Sequence, residues 1–173
     1  TFRGEVDCLS VPEYPIQKGV SAPFAGVIDD WMIVAGGCNF PDVPAADGGK
    51  KVYYNDIYAV NLKSDDKEWI LAGRLPENMA YGASVAVGNT IYMIGGENEN
   101  GMLDSAYKIT FDGRNRKAVI DVLPSVPEGM TNISGTVSGN MIYISGGLSE
   151  SNRNSMYRLS VNSPLKWEKM ASY

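Results

Sequence analysis

The sequence contains no histidine, and this absence narrows the chemistry open to the chain more than any residue that is present. A Ser-His-Asp triad, a histidine-ligated metal and a histidine general base are all excluded within it. Acid–base chemistry must therefore use Asp, Glu, Lys, Tyr or Arg-supported groups.

Cysteines are almost as scarce, because the chain has only two, Cys8 and Cys38. Neither belongs to a CxxC pair, so no zinc or redox motif is present. A disulfide between the two and a pair of free thiols both remain open. Their unlike sequence contexts favour two buried free thiols.

Long apolar runs and basic clusters are missing too. No apolar run reaches the roughly 18 residues of a membrane helix, so no membrane association is expected. The net charge is -5 and the basic clusters do not exceed Lys50-Lys51, so nucleic acid is not an expected partner. The 173 residues, 44% of them hydrophobic, are enough for one globular core.

What the sequence does have is a repeat. A tight polar turn is followed by a short apolar run that ends in Gly-Gly, at Gly36-Gly37, Gly95-Gly96 and Gly146-Gly147. The turns are Asp29-Asp30, Gly88-Asn89 and Gly139-Asn140, typical of hairpins. Repeats of about 50 residues indicate stacked structural units.

Each repeat predicts four short antiparallel strands. In the middle copy these are residues 81–87, 90–94, 106–111 and 118–123. Tyr58, Tyr107 and Tyr157 mark the third strand, and residues 166–170 form the fourth strand of the last copy. Four strands per repeat of this length is typical of a kelch-type β-propeller blade, and a β-sandwich with incidental glycines is the alternative.

The predicted fold is therefore all-β, a single partial β-propeller domain over residues 1–173. Residues 19–76, 77–124 and 125–173 each form a blade, and residues 1–18 supply the outer strand that closes the last blade of the ring. Propellers need at least four blades to close. We therefore expect about half of a longer protein, with the remaining blades as partners.

The repeat also places the candidate site. The residues after each Gly-Gly should meet those that open the first strand of the same repeat, at one end of the channel. Glu97 is the only carboxylate directly after a Gly-Gly. It could transfer a proton, or it could be a solvated loop residue. Tyr81 could stack on a sugar or fill the channel wall, and Asn132 could bind a ligand hydroxyl or serve a turn.

The insertion over residues 38–54, CNFPDVPAADGGKKVYY, is the most individual stretch. Long loops in compact domains are usually functional or disordered, and the Pro and aromatic content favours an ordered cap over the channel. A lysine here, Lys50 or Lys51, could pair with an anionic substrate, or both could be solvated. The GxxxxGK[ST] spacing of a P-loop is absent.

Four stretches carry a resemblance to a known family: GVSAPFAG (19–26), IVAGGCNFPDVPAADGGKKVYYNDIY (33–58), AYGASV (80–85) and IGGE (94–97). Over about residues 19–110 the chain resembles the sialic acid mutarotases, the N-acetylneuraminate epimerases and their cyclically permuted relatives. The order of the blades resembles the permuted branch.

The resemblance implies a six-bladed kelch propeller, periplasmic or secreted in bacteria, that interconverts the anomers of N-acetylneuraminate. It implies no metal and no organic cofactor, a small sugar acid as partner, and a homodimer as an open alternative. The positions that match the family motifs are Asn39, Lys50, Lys51, Tyr81 and Glu97, which are pocket candidates. Glu97 is the candidate catalytic group.

The sequence departs from the family in one respect. The family's proposed catalytic Glu and Arg form a close pair, and the loop after Glu97, residues 98–104, contains no Arg. That pair would fall outside this chain. A non-catalytic kelch module that binds a glycan or a protein is the alternative function. A sialidase-like hydrolase is disfavoured, because the arginines fall in predicted turns or outer strands.

Overall fold

The computed structural model describes residues 10–151, 154–162 and 164–170, and every main element in them is a β-strand. Three four-stranded antiparallel sheets follow one another along the chain, one for each copy of the repeat. The first copy holds β1 (Phe24–Ile28), β2 (Trp31–Ala35), β3 (Cys38–Asn39), β4 (Val52–Tyr53), β5 (Asp56–Asn61) and β6 (Trp69–Arg74). The second holds β7 (Ala83–Val87), β8 (Thr90–Ile94), β9 (Glu97–Asn98), β10 (Gly101–Met102), β11 (Ala106–Asp112) and β12 (Lys117–Val122). The third holds β13 (Met130–Thr131), β14 (Ser134–Ser138), β15 (Met141–Ser145), β16 (Leu148–Ser149), β17 (Met156–Ser160) and β18 (Trp167–Lys169).

The strand order is the same in all three sheets, β1-β2-β5-β6, β7-β8-β11-β12 and β14-β15-β17-β18. In each sheet the strand that precedes the polar turn forms one edge. The strand that follows the turn is its neighbour, in the second position. Successive sheets pack through these first strands. Close packing there needs glycine, because a Cβ at Gly26 would lie 2.8 Å from the Ile91 side chain and one at Gly135 would lie 2.7 Å from Val85.

The predicted strands of the middle repeat are confirmed, with ends that differ by one or two residues. The predicted first strand began at Tyr81, whereas β7 begins at Ala83. The hairpin turns are confirmed as well, since Asp29, Gly88 and Gly139 have φ of 51°, 54° and 57°. Asp29 tolerates this left-handed conformation because Asp and Asn are among the few residues that do.

The first two Gly-Gly pairs lie where two sheets meet. Gly36 and Gly95 have φ of 64° and 61°, and a Cβ on them would lie 2.3 Å from the Met79 carbonyl and 2.7 Å from the Met130 carbonyl of the next sheet. In these two pairs the second glycine donates its N–H to the same carbonyl, at 2.9 Å for Gly37 and 2.7 Å for Gly96. Glycine is therefore required both by backbone conformation and by close approach.

Two apolar cores fill the spaces between the three sheets. The first lies between the first and second sheets and includes Phe24, Ile33, Ile57, Met93 and Ile109. The second lies between the second and third sheets and includes Val85, Ile94, Ile142, Leu159 and Trp167. Both faces of the middle sheet are therefore buried, as expected for a stack of repeats that cannot bury their faces alone.

A half-buried glutamate ties together each of the last two repeats. Glu77 accepts hydrogen bonds from the hydroxyls of Ser105 and Tyr107, the latter at 2.8 Å. In the next repeat Glu128 accepts hydrogen bonds from the hydroxyls of Ser155 and Tyr157, each at 2.6 Å. Burial opposes ionisation of Glu128, but the hydrogen bonds, including two from Ser151, outweigh it and lower the pKa of Glu128 to about 2.

The start of the described chain lies against the first sheet. The Trp69 indole donates to the Pro12 carbonyl at 3.0 Å, as the Trp167 indole donates to the Pro124 carbonyl at 2.8 Å. Pro124 follows the outer strand of the preceding sheet, so Pro12 occupies the matching place. Residues 10–18 form no strand. The rest of the predicted closing strand, with Cys8, lies outside the described residues, and the division of the chain into domains stays a prediction.

Cys38 is a free, buried thiol, as predicted for it. In the described part of the chain no helix is long and apolar enough to cross a membrane. Among the same residues no group of three or more His, Cys, Asp or Glu side chains is arranged to hold a metal ion.

Candidate functional site

The predicted meeting of the residues after Gly-Gly with those before the first strand is confirmed in all three repeats. Cys38 pairs with Ser21, Glu97 pairs with Ala80, and β16 pairs with β13 so that Leu148 lies opposite Thr131. The repeat therefore gathers residues from three sheets at one end of their inner strands.

A second regularity at this end was not visible in the sequence. Ala22, Tyr81 and Asn132 occupy the same place in the three repeats, and all have left-handed φ, at 51°, 61° and 56°. The Tyr81 N–H donates to the Ala22 carbonyl at 3.1 Å, and the Asn132 N–H donates to the Tyr81 carbonyl at 2.8 Å. These two backbone hydrogen bonds connect the three repeats and fix the backbone positions from which the Tyr81 and Asn132 side chains extend. Sequence reasoning missed it because none of the three residues is glycine.

Glu97 lies at the centre of a polar cluster, which we call the Glu97 cluster: Lys51, Tyr53, Tyr81, Glu97 and Thr131. The Tyr53 hydroxyl donates to one carboxylate oxygen of Glu97 at 2.7 Å, and the Thr131 hydroxyl donates to the other at 3.0 Å. The Lys51 ammonium lies 3.7 Å from the first oxygen. The three partners come from the first and third repeats, so the cluster exists only when the sheets are assembled.

Lys51 is held between two aromatic rings. Its Nζ lies 4.9 Å from the ring centroid of Tyr81 and 5.6 Å from that of Tyr53, which are cation–π distances. Burial disfavours the charge, but the interactions with Tyr53 and Tyr81 outweigh it and raise the pKa of Lys51. Lys51 is therefore a fixed positive charge at neutral pH, with 32% of its side chain exposed.

The two tyrosines of the cluster remain protonated at neutral pH. Burial and the hydrogen bond to Glu97 raise the pKa of Tyr53 to about 12. A hydrogen bond with the Cys38 thiol, together with burial, raises the pKa of Tyr81. Both hydroxyls therefore keep their protons and can donate hydrogen bonds, and the Glu97 carboxylate accepts the bond from Tyr53.

Of the residues predicted from the sequence, Glu97, Lys51 and Tyr81 come together in this cluster. Asn132 adjoins it, because its amide lies 3.4 Å from the Thr131 hydroxyl. Lys50 is exposed and lines a shallow cavity beside the cluster, together with Lys51, Val52, Tyr53, Asn78 and Glu99. The substrate-binding roles of Lys50 and Asn132 stay predictions.

Asn39 has a different environment. Its amide nitrogen donates to the carbonyls of Gln17 (3.1 Å) and Gly19 (2.7 Å), and its oxygen accepts from the Tyr54 hydroxyl at 2.8 Å. These contacts tie the insertion to the segment that precedes β1. Asn39 is outside the Glu97 cluster, and its predicted role in substrate binding stays a prediction.

The insertion itself is ordered. It begins with β3 and ends with β4, and the two strands pair with Cys38 opposite Tyr53. A short 3₁₀ helix, Ala45–Asp47, lies between them, and the Lys18 ammonium donates to the Pro41 carbonyl at 2.6 Å. The hairpin is what brings Lys51 and Tyr53 to Glu97.

Tyr53 and Thr131 are the two members of the cluster that were not among the candidate site residues. Lys51 and Tyr53 are two positions apart at a strand, and side chains at that spacing lie on the same face. That spacing could have found Tyr53. Thr131 opens the third repeat as Ala80 opens the second, so the repeat places it at this end, although nothing in the sequence marks it as a partner of Glu97.

Chemically, the cluster combines one carboxylate, one ammonium and two protonated phenols within a few ångströms. A carboxylate in such a cluster is the group that can accept a proton from a bound molecule, and a protonated phenol is the group that can donate one. The exposed part of the Lys51 ammonium is a binding point for an anion. The arrangement suits proton transfer on a small, anionic, hydroxylated molecule.

Comparison with known proteins identifies the relatives of this chain. Residues 4–118 match the family model described as N-acetylneuraminate epimerase. An N-acetylneuraminate epimerase of Haemophilus influenzae (strain 86-028NP) is 33% identical over 116 residues, which cover 61% of this chain and 30% of that relative. Another, from Pasteurella multocida (strain Pm70), is 31% identical over 126 residues, 66% of this chain and 33% of the relative.

A solved structure, that of YjhT, shares the fold. The TM-score is 0.66 at 13% sequence identity, and the match covers 94% of this chain and 54% of the YjhT chain. With its three four-stranded sheets, the chain has the predicted all-β, kelch-type propeller fold. It spans about a third of the curated relatives in sequence and about half of YjhT in structure.

Proposed function

The chain belongs to the N-acetylneuraminate epimerase family, and on that premise we propose that the complete protein containing it interconverts the anomers of N-acetylneuraminate. The observation that supports this most is the Glu97 cluster. It joins a proton acceptor, two phenolic donors and a fixed cation without histidine or metal ligands, and anomer exchange of an acidic sugar needs these groups.

The reaction sets the requirements. A proton leaves the anomeric hydroxyl and one reaches the ring oxygen, so that the ring opens to a keto acid and closes again on the other face. The carboxylate on the anomeric carbon must be held by a cation throughout. Neither step changes the number of protons in the complex, so one acceptor and one donor are sufficient.

We assign the roles as follows. Lys51 pairs with the substrate carboxylate, since its ammonium is fixed over Tyr53 and Tyr81 and is partly exposed. Glu97 accepts the proton from the anomeric hydroxyl, and Tyr53, which donates to Glu97 at 2.7 Å, keeps the carboxylate oriented. The protonated Tyr81 hydroxyl gives a proton to the ring oxygen as the ring opens, and both protons return when the ring closes on the other face. Asn132 and Lys50, at the margin of the cluster, contact the rest of the sugar.

The same family membership supports three further parts of the proposal. The complete propeller has six blades, of which this chain supplies three. The remaining blades complete the site, including a Glu–Arg pair that this chain lacks. The protein acts in the periplasm or outside the bacterial cell, where released sialic acid is available.

The test is anomer exchange followed by NMR with the complete protein. We expect magnetisation to exchange between the two anomers of N-acetylneuraminate faster than in buffer. The methyl ester, which lacks the negative charge, should exchange more slowly at the same concentration. Binding of the sugar without accelerated exchange would instead identify a non-catalytic kelch module.

A further inference from the structure

The two carboxylate oxygens of Glu97 have different surroundings. Oε1 accepts a hydrogen bond from the Tyr53 hydroxyl at 2.7 Å and lies 3.7 Å from the Lys51 ammonium. Oε2 accepts from the Thr131 hydroxyl at 3.0 Å, which is the one hydrogen bond that it accepts from the described residues. A phenol and an ammonium therefore approach the first oxygen, and a single aliphatic hydroxyl approaches the second.

This difference bears on which oxygen takes up a proton. A carboxylate oxygen has two lone pairs, and on Oε1 these face the phenol and the ammonium, whereas Oε2 keeps one for a further donor. The anomeric hydroxyl of a bound sugar acid is such a donor. Because this hydroxyl and the sugar carboxylate are attached to the same carbon, a substrate that pairs with Lys51 brings its anomeric hydroxyl close to Glu97.

The backbone fixes Thr131 and Glu97 relative to each other. Thr131 is 2% exposed, and the carbonyl of the preceding residue, Met130, accepts from the Gly96 N–H at 2.7 Å. Glu97 follows Gly96 and is bonded twice to Ala80, since its N–H donates at 2.8 Å and its carbonyl accepts at 3.0 Å. The hydroxyl and the carboxylate therefore start from backbone positions that do not depend on their own contact.

The neighbours of the Thr131 hydroxyl direct its single proton. The side-chain amide nitrogen of Asn132 lies 3.4 Å from Oγ1 of Thr131, and this nitrogen can only donate. The hydroxyl accepts on that side and donates its own proton to Oε2 of Glu97. A buried threonine that only satisfies its hydroxyl with a nearby acceptor would have the same contacts, so kinetics must separate the two roles.

We propose that Oε2 is the oxygen of Glu97 that accepts the anomeric proton, and that Thr131 is the positioning residue that holds this oxygen toward the substrate; the inference rests on the function proposed above. The anomeric O–H bond breaks, its proton goes to Oε2, and its electron pair forms the C=O bond of the keto acid. The bond from the anomeric carbon to the ring oxygen breaks at the same time, and the ring oxygen takes its proton from Tyr81. Thr131 itself neither gains nor loses a proton.

The test compares Thr131→Val with Thr131→Ser in the complete protein, with anomer exchange measured by NMR over a range of N-acetylneuraminate concentrations. Valine removes the hydroxyl and keeps the branched shape, whereas serine keeps the hydroxyl. We expect Thr131→Val to lower kcat about tenfold with KM unchanged, because a hydrogen bond to a charged group is lost. Thr131→Ser should retain kcat within about twofold, because it restores that bond.

Two controls separate positioning from packing. Thr110→Val removes the hydroxyl of a half-buried threonine in β11 that forms no side-chain hydrogen bond with a described residue, and it should leave kcat unchanged. Thr131→Val in a Glu97→Gln background should slow exchange no further. Tyr53 keeps the amide oxygen of that glutamine at the place of Oε1, so the amide nitrogen replaces Oε2 and the accepting oxygen is already lost.

The outcomes distinguish this inference from the proposed function. A complete protein that does not accelerate exchange would overturn both. Accelerated exchange with the same kcat in Thr131→Val would overturn this inference alone. So would equal losses in Thr131→Val and Thr131→Ser, or a loss that persists in full in the Glu97→Gln background, because either result would assign the effect to packing in β13.

Discussion

Replacement of Gly95 by alanine should test whether neighbouring sheets are locked together by backbone contact. Gly95 has φ of 61°, and an added Cβ would lie 2.7 Å from the Met130 carbonyl of the next sheet. Gly88, in the hairpin turn of the same sheet, has φ of 54° and nothing within 4 Å of its added Cβ. The two glycines therefore differ in surroundings and hardly in conformation.

The expected magnitudes follow from that difference. A left-handed conformation costs an L-residue about 1–2 kcal/mol, and both alanine variants lose this amount. Displacing a packed backbone group adds roughly 1–3 kcal/mol, and only Gly95→Ala incurs it. We therefore expect Gly95→Ala to lower the free energy of unfolding by about 2 kcal/mol more than Gly88→Ala does.

The assay is urea denaturation of the complete protein, followed by tryptophan fluorescence, with both variants measured beside the unsubstituted protein. Trp167 lies in the core between the second and third sheets, where Met130 also packs, so its emission reports on this boundary. Equal losses of stability in the two variants would refute the reasoning, because the contact with Met130 would then carry no energetic weight.

Three other substitutions test the site and the pH dependence of the fold. Lys51→Ala should weaken binding of N-acetylneuraminate about tenfold, because the sugar carboxylate pairs with the ammonium. Binding of the methyl ester, which has no carboxylate, should weaken far less. The control variant Lys50→Ala should weaken binding of the acid less than Lys51→Ala does. Tyr53→Phe removes one charge-assisted hydrogen bond from the cluster and should slow anomer exchange about tenfold, whereas Tyr54→Phe should not, as measured by NMR. Glu128 has a pKa lowered to about 2 from 4.5, so its contribution to stability is present above about pH 4.5 and is lost as the pH falls toward 2. Glu128→Gln should therefore show a flatter loss of stability over that range in urea titrations at fixed pH.

Each of these has an outcome that contradicts it. Equal losses for the acid and the ester would remove Lys51 from carboxylate binding. Equal rates for the Tyr53 and Tyr54 variants would show that the hydrogen bond to Glu97 has no catalytic consequence. A parallel loss of stability with and without Glu128 would assign the acid sensitivity to other groups.

Much of the fold was predictable because three levels of the sequence agree. The hairpin turns, the apolar runs and the glycine pairs recur in the same order in all three copies. A strand that is recognised in one copy therefore supports the assignment of the equivalent strand in the others. Gly36 and Gly95 could be recognised as crowded positions. That they face the carbonyls of Met79 and Met130 could not, since this depends on how one sheet sits on the next.

The candidate site was predictable only in part, for the same reason. The repeat placed Glu97, Tyr81 and Asn132 at one end of the sheets. The hydrogen bonds from Tyr53 and Thr131 to Glu97 join three different repeats, and no spacing within one repeat reports them. Asn39 was selected by its motif, and its bonds to Gln17 and Gly19 became visible only when the insertion was folded back on the preceding segment.

The central claim is that Glu97 takes part in anomer exchange, and Glu97→Gln in the complete protein tests it most directly. Glutamine keeps the size of the side chain and can still accept from Tyr53, but it cannot take up the proton. We expect the exchange rate measured by NMR to fall at least about tenfold, with binding of N-acetylneuraminate retained. Glu99→Gln, whose carboxylate contacts only the Asn78 amide at 3.2 Å among the described hydrogen bonds, should leave the rate unchanged. An unchanged rate in Glu97→Gln would contradict the account.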